Sequence, residues 1–322
     1  WLTDSLAGAD LPGAEISALS GSGVLNRLAV FKSWKACVKA KALLAQRSGI
    51  PAGSPSAPYF FLSDPVHQHL LRTGLTLFKG LRFDAQRRLQ IDIECRTAAG
   101  YEFCNAAREE DAILAIGLGL ADGTVRTLLL GRDGTESDLL RQVAALIRDY
   151  DPDTIEGHNL FNFDLPYLAE RGARWGVPMD WGRGGRPIQM KPSRFAVGER
   201  MVAYSRFDVP GRQVIDTYFL AQLYDLSHRE LESYGLKAVA RHFGVAAPDR
   251  TYIDGGDIGV EFERDPDRVA RYLADDIRET RAVSDLLSPA YFIQAQFLPF
   301  SYQNIAVRGN ATKIDALLIR GY

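Results

Sequence analysis

Apolar and polar residues alternate along Leu89-Gln90-Ile91-Asp92-Ile93-Glu94, and a period of two predicts a β-strand over 89–95. That period places Asp92 and Glu94 on one face. Two apolar runs follow, Ala112–Leu120 and Val125–Leu130, with Ala121-Asp122-Gly123 between them. An Asp-Gly between such runs predicts a hairpin, so the first three strands form an antiparallel meander. Helical apolar spacing returns over Ser137–Tyr150, through Leu139, Leu140, Val143, Leu146 and Ile147, and a further strand follows at Asp153–Gly157. Strands followed by a helix, a strand and more helices predict a mixed sheet with helices packed on it.

Upstream the pattern is weaker. Residues 1–28 show no clear period and read as partly loose. Leu28–Arg47 interleaves Lys32, Lys35, Lys39, Lys41 and Arg47 with Val30, Phe31, Trp34, Val38, Leu43 and Leu44, which predicts one basic amphipathic helix. A Pro/Gly/Ser connector over 49–58, a short strand at Tyr59–Leu62 and a helix at Pro65–Arg72 closed by Thr73-Gly74 come next. Downstream, Asn162 or a neighbour is expected to cap a helix carrying Asp164 on its first turns. Residues 177–212 read as irregular, and Ile215–Tyr224, Leu236–Phe243 and Asp265–Ala290 as helical.

The chain has 322 residues, 46% apolar and 24% charged, which is the composition of an ordinary globular protein of more than one domain. No apolar run is long enough to span a bilayer, and no signal peptide is visible, so no membrane partner is expected. Cys37, Cys95 and Cys104 form no C-x-x-C pair. Sparse, odd cysteines suit a reducing cytoplasm and argue against a disulfide framework or a zinc ribbon. A formal net charge of −2 is unusual for a protein that only coats nucleic acid, but suits an enzyme that grips a few phosphates beside an acidic metal centre.

Asp92-Ile93-Glu94 is the only Asp-x-Glu in the chain. Carboxylates crowded on one strand face call for a cation, and oxygen-only donors favour Mg²⁺ or Mn²⁺ over zinc. Further carboxylates must then come from elsewhere. Asp164 follows the end of the 153–157 strand, where α/β sheets commonly place ligand groups; helix capping accounts for it equally well. His158 reads as a packed strand-end histidine. Tyr and Asp stand four apart twice, at Tyr204/Asp208 and Tyr272/Asp276. The first pair precedes Val-Pro-Gly in a non-helical segment, where extended chain would hold the side chains more than about 12 Å apart. The second pair shares a helix face and can converge on a metal. Residues 177–212 hold seven Lys/Arg, Arg194 and Arg206 among them, against three acids, and offer a phosphate contact or a solvated insertion.

In this order the pieces resemble the proofreading exonuclease domain of family B DNA polymerases of the bacterial type, the class named for four acidic residues and a tyrosine. Asp92-Ile-Glu94 is similar to that family's first exonuclease motif, Gly157-His-Asn159-Leu-Phe-Asn-Phe163-Asp164-Leu-Pro-Tyr167-Leu to the second, and Tyr272-Leu-Ala-Asp-Asp276 to the third. Gly211-Arg212-Gln-Val-Ile-Asp216 and Ser233-Tyr234-Gly-Leu236-Lys237-Ala-Val239-Ala240 resemble family segments between the last two. Cys95 departs from the threonine that often follows the motif glutamate, with Thr97 two residues on. Val307–Arg320 resembles the entry to the polymerase palm, yet neither Asp-Thr-Asp nor Ser-Leu-Tyr-Pro is present, so no DNA synthesis is expected of these 322 residues.

The resemblance implies an α/β, ribonuclease H-like mixed sheet flanked by helices over 86–290, after a small N-terminal α+β region (1–85) and before the start of a palm (291–322). It implies 3′–5′ hydrolysis of single-stranded or frayed DNA by two divalent ions, Mg²⁺ or Mn²⁺. Asp92 would bridge both ions, Glu94 and Asp276 would hold the one that activates water, and Asp164 would anchor the second through water. Tyr272 would orient the attacking water. Asn159, Phe163, Phe103, Thr97, Arg194 and Arg206 are the expected DNA contacts. The implied partners are the primer 3′ end and the C-terminal polymerase domains, and the implied location is cytoplasmic, with the bacterial nucleoid. The rival readings are a non-catalytic DNA-binding scaffold and a free-standing exonuclease of the same class.

Overall fold

A computed structural model describes residues 2–4, 11–20 and 23–321. The chain divides into two compact units, Trp1–Thr76 with Ile319–Tyr322, and Leu77–Leu318.

The first unit holds a four-stranded antiparallel sheet of β1 (Leu2–Asp4), β2 (Ala14–Ala18), β3 (Arg27–Phe31) and β4 (Tyr59–Phe61), in the order β2-β3-β1-β4. Two helices belong to it, α1 (Trp34–Ser48) and α2 (Pro65–Thr73). Both helices end on a left-handed glycine, Gly49 and Gly74. The single helix expected over 28–47 is therefore a strand followed by a helix. Leu28, Val30 and Phe31 pair with β2 while Ser33 caps α1, accepting the Ala36 N–H at 3.2 Å. The β-branched and aromatic residues at 30–31 favour the strand. The region expected to be loose contains β2, and residues 5–10 and 21–22 lie outside those described.

The second unit is built on a five-stranded mixed sheet, ordered β11-β8-β5-β6-β7. Its strands are β5 (Arg88–Cys95), β6 (Ile113–Gly119), β7 (Val125–Leu129), β8 (Thr154–Gly157) and β11 (Gln213–Asp216). β5, β6 and β7 form the antiparallel meander, while β8 runs parallel to both β5 and β11. The expected ribonuclease H-like α/β sheet flanked by helices is the architecture found. α3 (Glu136–Tyr150) starts from a Thr135/Asp138 capping box and packs its apolar stripe on the sheet's buried face, as its spacing predicted. α4 (Asp164–Arg174) follows β8.

Two expectations in this unit are corrected. Residues 189–208 are a regular hairpin, β9 (Gln189–Val197) and β10 (Arg200–Asp208), with nine residues on each side, in place of an irregular stretch. Ile215 and Asp216 belong to strand β11 and the helix starts only at Thr217, because β8 supplies the edge that this short apolar run completes.

The remaining helices are α5 (Thr217–His228), α6 (Leu236–His242), α7 (Ile258–Arg264), α8 (Pro266–Leu287), α9 (Pro289–Ala295), α10 (Tyr302–Ile305) and α11 (Asn310–Gly321). α8 lies across β5, β6 and β7. Its approach depends on Gly117 and Gly119 of β6. A Cβ at Gly117 would stand 2.8 Å from side-chain atoms of both Ile277 and Leu273, and one at Gly119 would stand 2.7 Å from Ile277. Gly117 is the residue paired with Asp92 across the β5–β6 ladder. The missing side chain opposite Asp92 thus lets a helix settle over that carboxylate.

Candidate active site

β5 alternates as its pattern predicted: Leu89, Ile91, Ile93 and Cys95 are buried, and Asp92 and Glu94 are half-buried on the opposite face. α8 lies over that face and brings Tyr272 and Asp276, one turn apart and both buried. One carboxylate oxygen from each of Asp92, Glu94 and Asp276 falls within 4.8 Å of the other two. The decoy pair separates as expected, with Tyr204 and Asp208 on strand β10.

The electrostatics follow from crowding in a desolvated place. Burial pushes Asp92 well above the usual carboxylate range, and repulsion from Asp164, Asp276 and Glu94 adds to it. Glu94 is raised by burial and then by Asp276. Asp276 is raised to about 6 by burial, against the pull of Arg250 and Lys237. Tyr272 hydrogen-bonds Asp276, and burial followed by the neighbouring carboxylates pushes its hydroxyl upward. Three acidic oxygens that repel one another in a partly desolvated site form a donor set suited to a divalent cation.

Asp164 takes a different position from the other three. It is the first residue of α4, is buried, and its Oδ1 accepts the Ile93 N–H at 3.1 Å. It lies beside the strand and outside the three-carboxylate cluster, yet exerts the largest charge effect on Asp92. The expected side-chain cap from Asn162 is absent. Phe163 is the N-cap and makes no capping bond, while Asn162 Nδ2 donates to Asn159 Oδ1 at 2.9 Å. The turn is held from across the sheet by buried Asp216. Its carboxylate accepts the Asn159 N–H at 2.8 Å and the Phe161 N–H at 3.0 Å. Asn159 adopts φ 64° in this turn.

A cavity of about 670 Å³ opens over the carboxylates. Thr97, Phe103, Cys104, Phe163, His158 and Lys237 line it, so three of the expected DNA contacts do converge on the site. Phe103 is 73% exposed. The loop that carries it is pinned by buried Asp111, which accepts the Ala98 N–H at 2.7 Å and the Asn105 N–H at 2.6 Å. Cys95 points to the core, where its thiol meets Cys104 and the Tyr167 hydroxyl. The hydrogen bond with Cys95 holds the Cys104 thiol down at about 7. His158 is a packed histidine, as its sequence position suggested. Its ring nitrogens contact Thr217 Oγ1 at 2.9 Å and the Tyr234 carbonyl at 2.7 Å, and burial lowers it to about 4.

The two basic contacts expected on 177–212 fare differently. Arg194 is exposed on β9. Arg206 is buried, its Nε 2.6 Å from Asp208 Oδ1, and it also donates to Asn304, so its charge is used inside the fold. Arg183, Lys191 and Arg212 are likewise paired with Asp151, Asp153 or Asp208.

Two residues that the sequence pattern left without a role sit at the centre. The Lys237 ammonium lies 4.6 Å from the Tyr272 ring centre and acts on all three carboxylates. It falls in the Ser233–Ala240 stretch that resembles a family segment, which was the only signal for it. Arg250 is buried, pairs with Asp276 and lies 2.6 Å from Glu279. Nothing local marked it, because the loop that carries it meets α8 only in three dimensions.

The sequence profile described as "DNA polymerase family B, exonuclease domain" matches residues 133–239, which include Asp164, Asp216 and Lys237. That segment is similar to the exonuclease domain of family B DNA polymerases. Similar proteins agree with that match. The DNA polymerase 2 of Aeropyrum pernix is 28% identical over 265 residues, covering 81% of this chain and 28% of that one. The DNA polymerase of Archaeoglobus fulgidus is 26% identical over 213 residues, 66% of this chain and 24% of its own. The chain thus spans about a quarter of these relatives. The structure of the family B DNA polymerase from Pyrobaculum calidifontis superposes with a TM-score of 0.71 over 95% of this chain and 41% of that chain, at 20% identity, and so shares the fold. The carboxylates of β5 and α8 lie on either side of the matched segment.

Proposed function

We propose that this chain is the 3′–5′ proofreading exonuclease part of a family B DNA polymerase, hydrolysing the terminal phosphodiester of single-stranded or frayed DNA. The observation that carries the reading is the set of three carboxylates within 4.8 Å, roofed by Tyr272 and open to a 670 Å³ cavity. Asp92, Glu94 and Asp276 would hold divalent ions, Mg²⁺ or Mn²⁺ by the all-oxygen donor set. A pair of such ions, when bound, supplies activation of water and neutralisation of charge on the phosphate and the leaving oxygen.

The chain's own residues do the positioning. Asp164 fixes the strand at Ile93 and, with Asp276 and Glu94, makes a bare charge on Asp92 costly, a cost that a bound cation relieves. Tyr272 is a poor base, being pushed above the ordinary tyrosine range, so its hydroxyl serves to orient a water. Lys237 places a cation beside the site, in reach of a substrate phosphate. Phe103 and Phe163 offer faces on which terminal bases stack, and Thr97 lines the wall between them and β5. A mismatched end unpairs at lower cost and reaches such a cavity more often. The polymerase domains of a longer chain, entered through α9–α11, are the proposed partner.

Digestion of 5′-labelled single-stranded DNA with Mg²⁺ or Mn²⁺, comparing the native chain with Asp92→Ala/Glu94→Ala, tests this. A ladder shortening from the 3′ end in the native chain alone is the expected result. No cleavage by the folded native chain with either ion overturns it in favour of a DNA-binding scaffold.

A further inference from the structure

The unit Trp1–Thr76 carries charge that the carboxylate cavity does not use. Between Glu15 and Asp64 there is no acidic residue, while Arg27, Lys32, Lys35, Lys39, Lys41 and Arg47 are all basic, in a chain of net charge −2. α1 turns Cys37, Ala40 and Leu44 to the core of this unit. Trp34 and Val38, one turn apart, are each 42% exposed, and Lys32, Lys35 and Lys39 are exposed around them. Trp34 packs on Phe61 of β4 with ring centres 5.8 Å apart, and the Lys41 ammonium lies 4.8 Å from the Phe61 ring centre.

Fold stability does not explain this face. α1 has no acidic residue in its first turn, and Lys35 stands there against the positive end of the helix dipole. An aromatic ring braced from behind by a second ring, left open in front and surrounded by lysines, has the chemistry of a single-strand binding platform. Bases stack on the ring and phosphates meet the ammonium groups.

We propose that the α1 face formed by Trp34, Lys35 and Lys39, braced by Phe61, binds single-stranded DNA at a place separate from the carboxylate cavity. The apolar strip is only Trp34 and Val38, too narrow for insertion into a lipid surface, and a duplex keeps its base faces covered.

Fluorescence anisotropy of a labelled oligothymidine of about 20 nucleotides, titrated with the full chain in EDTA at several KCl concentrations, measures the site without cleavage. Lys35→Glu/Lys39→Glu is expected to weaken binding at least about 10-fold and to reduce the salt slope by about 1.4, the value for two lost phosphate contacts. Trp34→Ala is expected to weaken it about 5-fold or more, and Trp34→Phe to restore it. Circular dichroism melts, with Lys35→Gln/Lys39→Gln as a milder pair, separate lost contact from lost folding. Affinities of folded variants within about 2-fold of the native chain overturn the proposal. So does equal binding of a blunt duplex, or charge reversal that releases anionic vesicles and spares DNA. Cleavage with Mg²⁺ is assayed separately, so a chain that binds through α1 yet does not cut DNA fails the nuclease reading alone.

Discussion

Two charged regions of this molecule look alike as counts and opposite as structures. The segment 177–212 is rich in arginine and lysine, yet Arg183, Lys191, Arg206 and Arg212 are each matched with an aspartate in the fold. The face of β5 under α8 gathers Asp92, Glu94 and Asp276 with Asp164 beside the strand, and Lys237 and the Arg250–Asp276 pair oppose them. In the first region, these charges are consumed within the β9–β10 hairpin, by Lys191 and Arg206 on Asp208, and in tying Arg183 and Arg212 to Asp151. In the second, charge is left in excess in a desolvated place, which costs stability and makes the place a receptor for cations. The net charge of a stretch therefore says little until its pairing is known.

Removing the unpaired carboxylates should separate the two regions most sharply. Asp92→Ala/Glu94→Ala should lower 3′ cleavage by at least about 10³-fold, since the lost interactions supply several kcal/mol of charge stabilisation. In EDTA the same double variant should melt no lower than the native chain, because two mutually repelling carboxylates have gone. A fall of several degrees would show that the cluster is self-satisfied after all.

Divalent metal should act only on the native cluster. At about 100 times its dissociation constant an ion adds about 2.7 kcal/mol of stability, and in a domain of this size each kcal/mol moves the melting temperature by about 2–4 °C. Scanning calorimetry with Mg²⁺ or Mn²⁺ should show that rise in the native chain and none in Asp92→Ala/Glu94→Ala.

Gly117→Ala should cost about 1–3 kcal/mol by pushing α8 off β6, and should reduce cleavage more than its stability loss explains, because Tyr272 and Asp276 move with the helix. Denaturant melts and single-turnover cleavage, measured together, check it.

Arg206→Ala should cost about 1–3 kcal/mol of stability and leave DNA affinity unchanged, whereas a true phosphate contact would do the reverse. Filter binding beside a urea melt decides which.

The smallest effect is in pH. Asp276 is raised from 3.8 to about 6 in the fold, so the folded state binds its proton more tightly than the unfolded one. Its contribution is fully present below about pH 4 and is lost as pH rises through about 6. Metal-free melting temperatures should therefore slip over that window, and the gain on adding Mg²⁺ should grow over the same range, since the ion needs the ionised carboxylate. A flat metal-free profile would place the titration elsewhere.

Period-two and helical spacing alone determined β5, its meander, α3, α8 and the convergence of Asp92 and Glu94 on one face. These are local consequences of backbone geometry, and the Tyr272/Asp276 spacing is legible for the same reason. The residues around them were settled only in three dimensions. β11 and the hairpin β9–β10 exist because an edge or a partner strand completes their hydrogen bonds, and a short apolar run cannot announce such a partner. Residues 28–47 read as one helix because their apolar positions continue across the Ser33 cap that separates β3 from α1. Arg206 was legible as a charge but not as a buried ion pair, since Asp208 and Asn304 meet it only on folding. Asp164 took a place beside β5 but outside the three-oxygen cluster, and Arg250 reached Asp276 from a loop with no pattern of its own. Spacing along the chain decides which face a side chain takes, and packing between distant segments decides what it meets there.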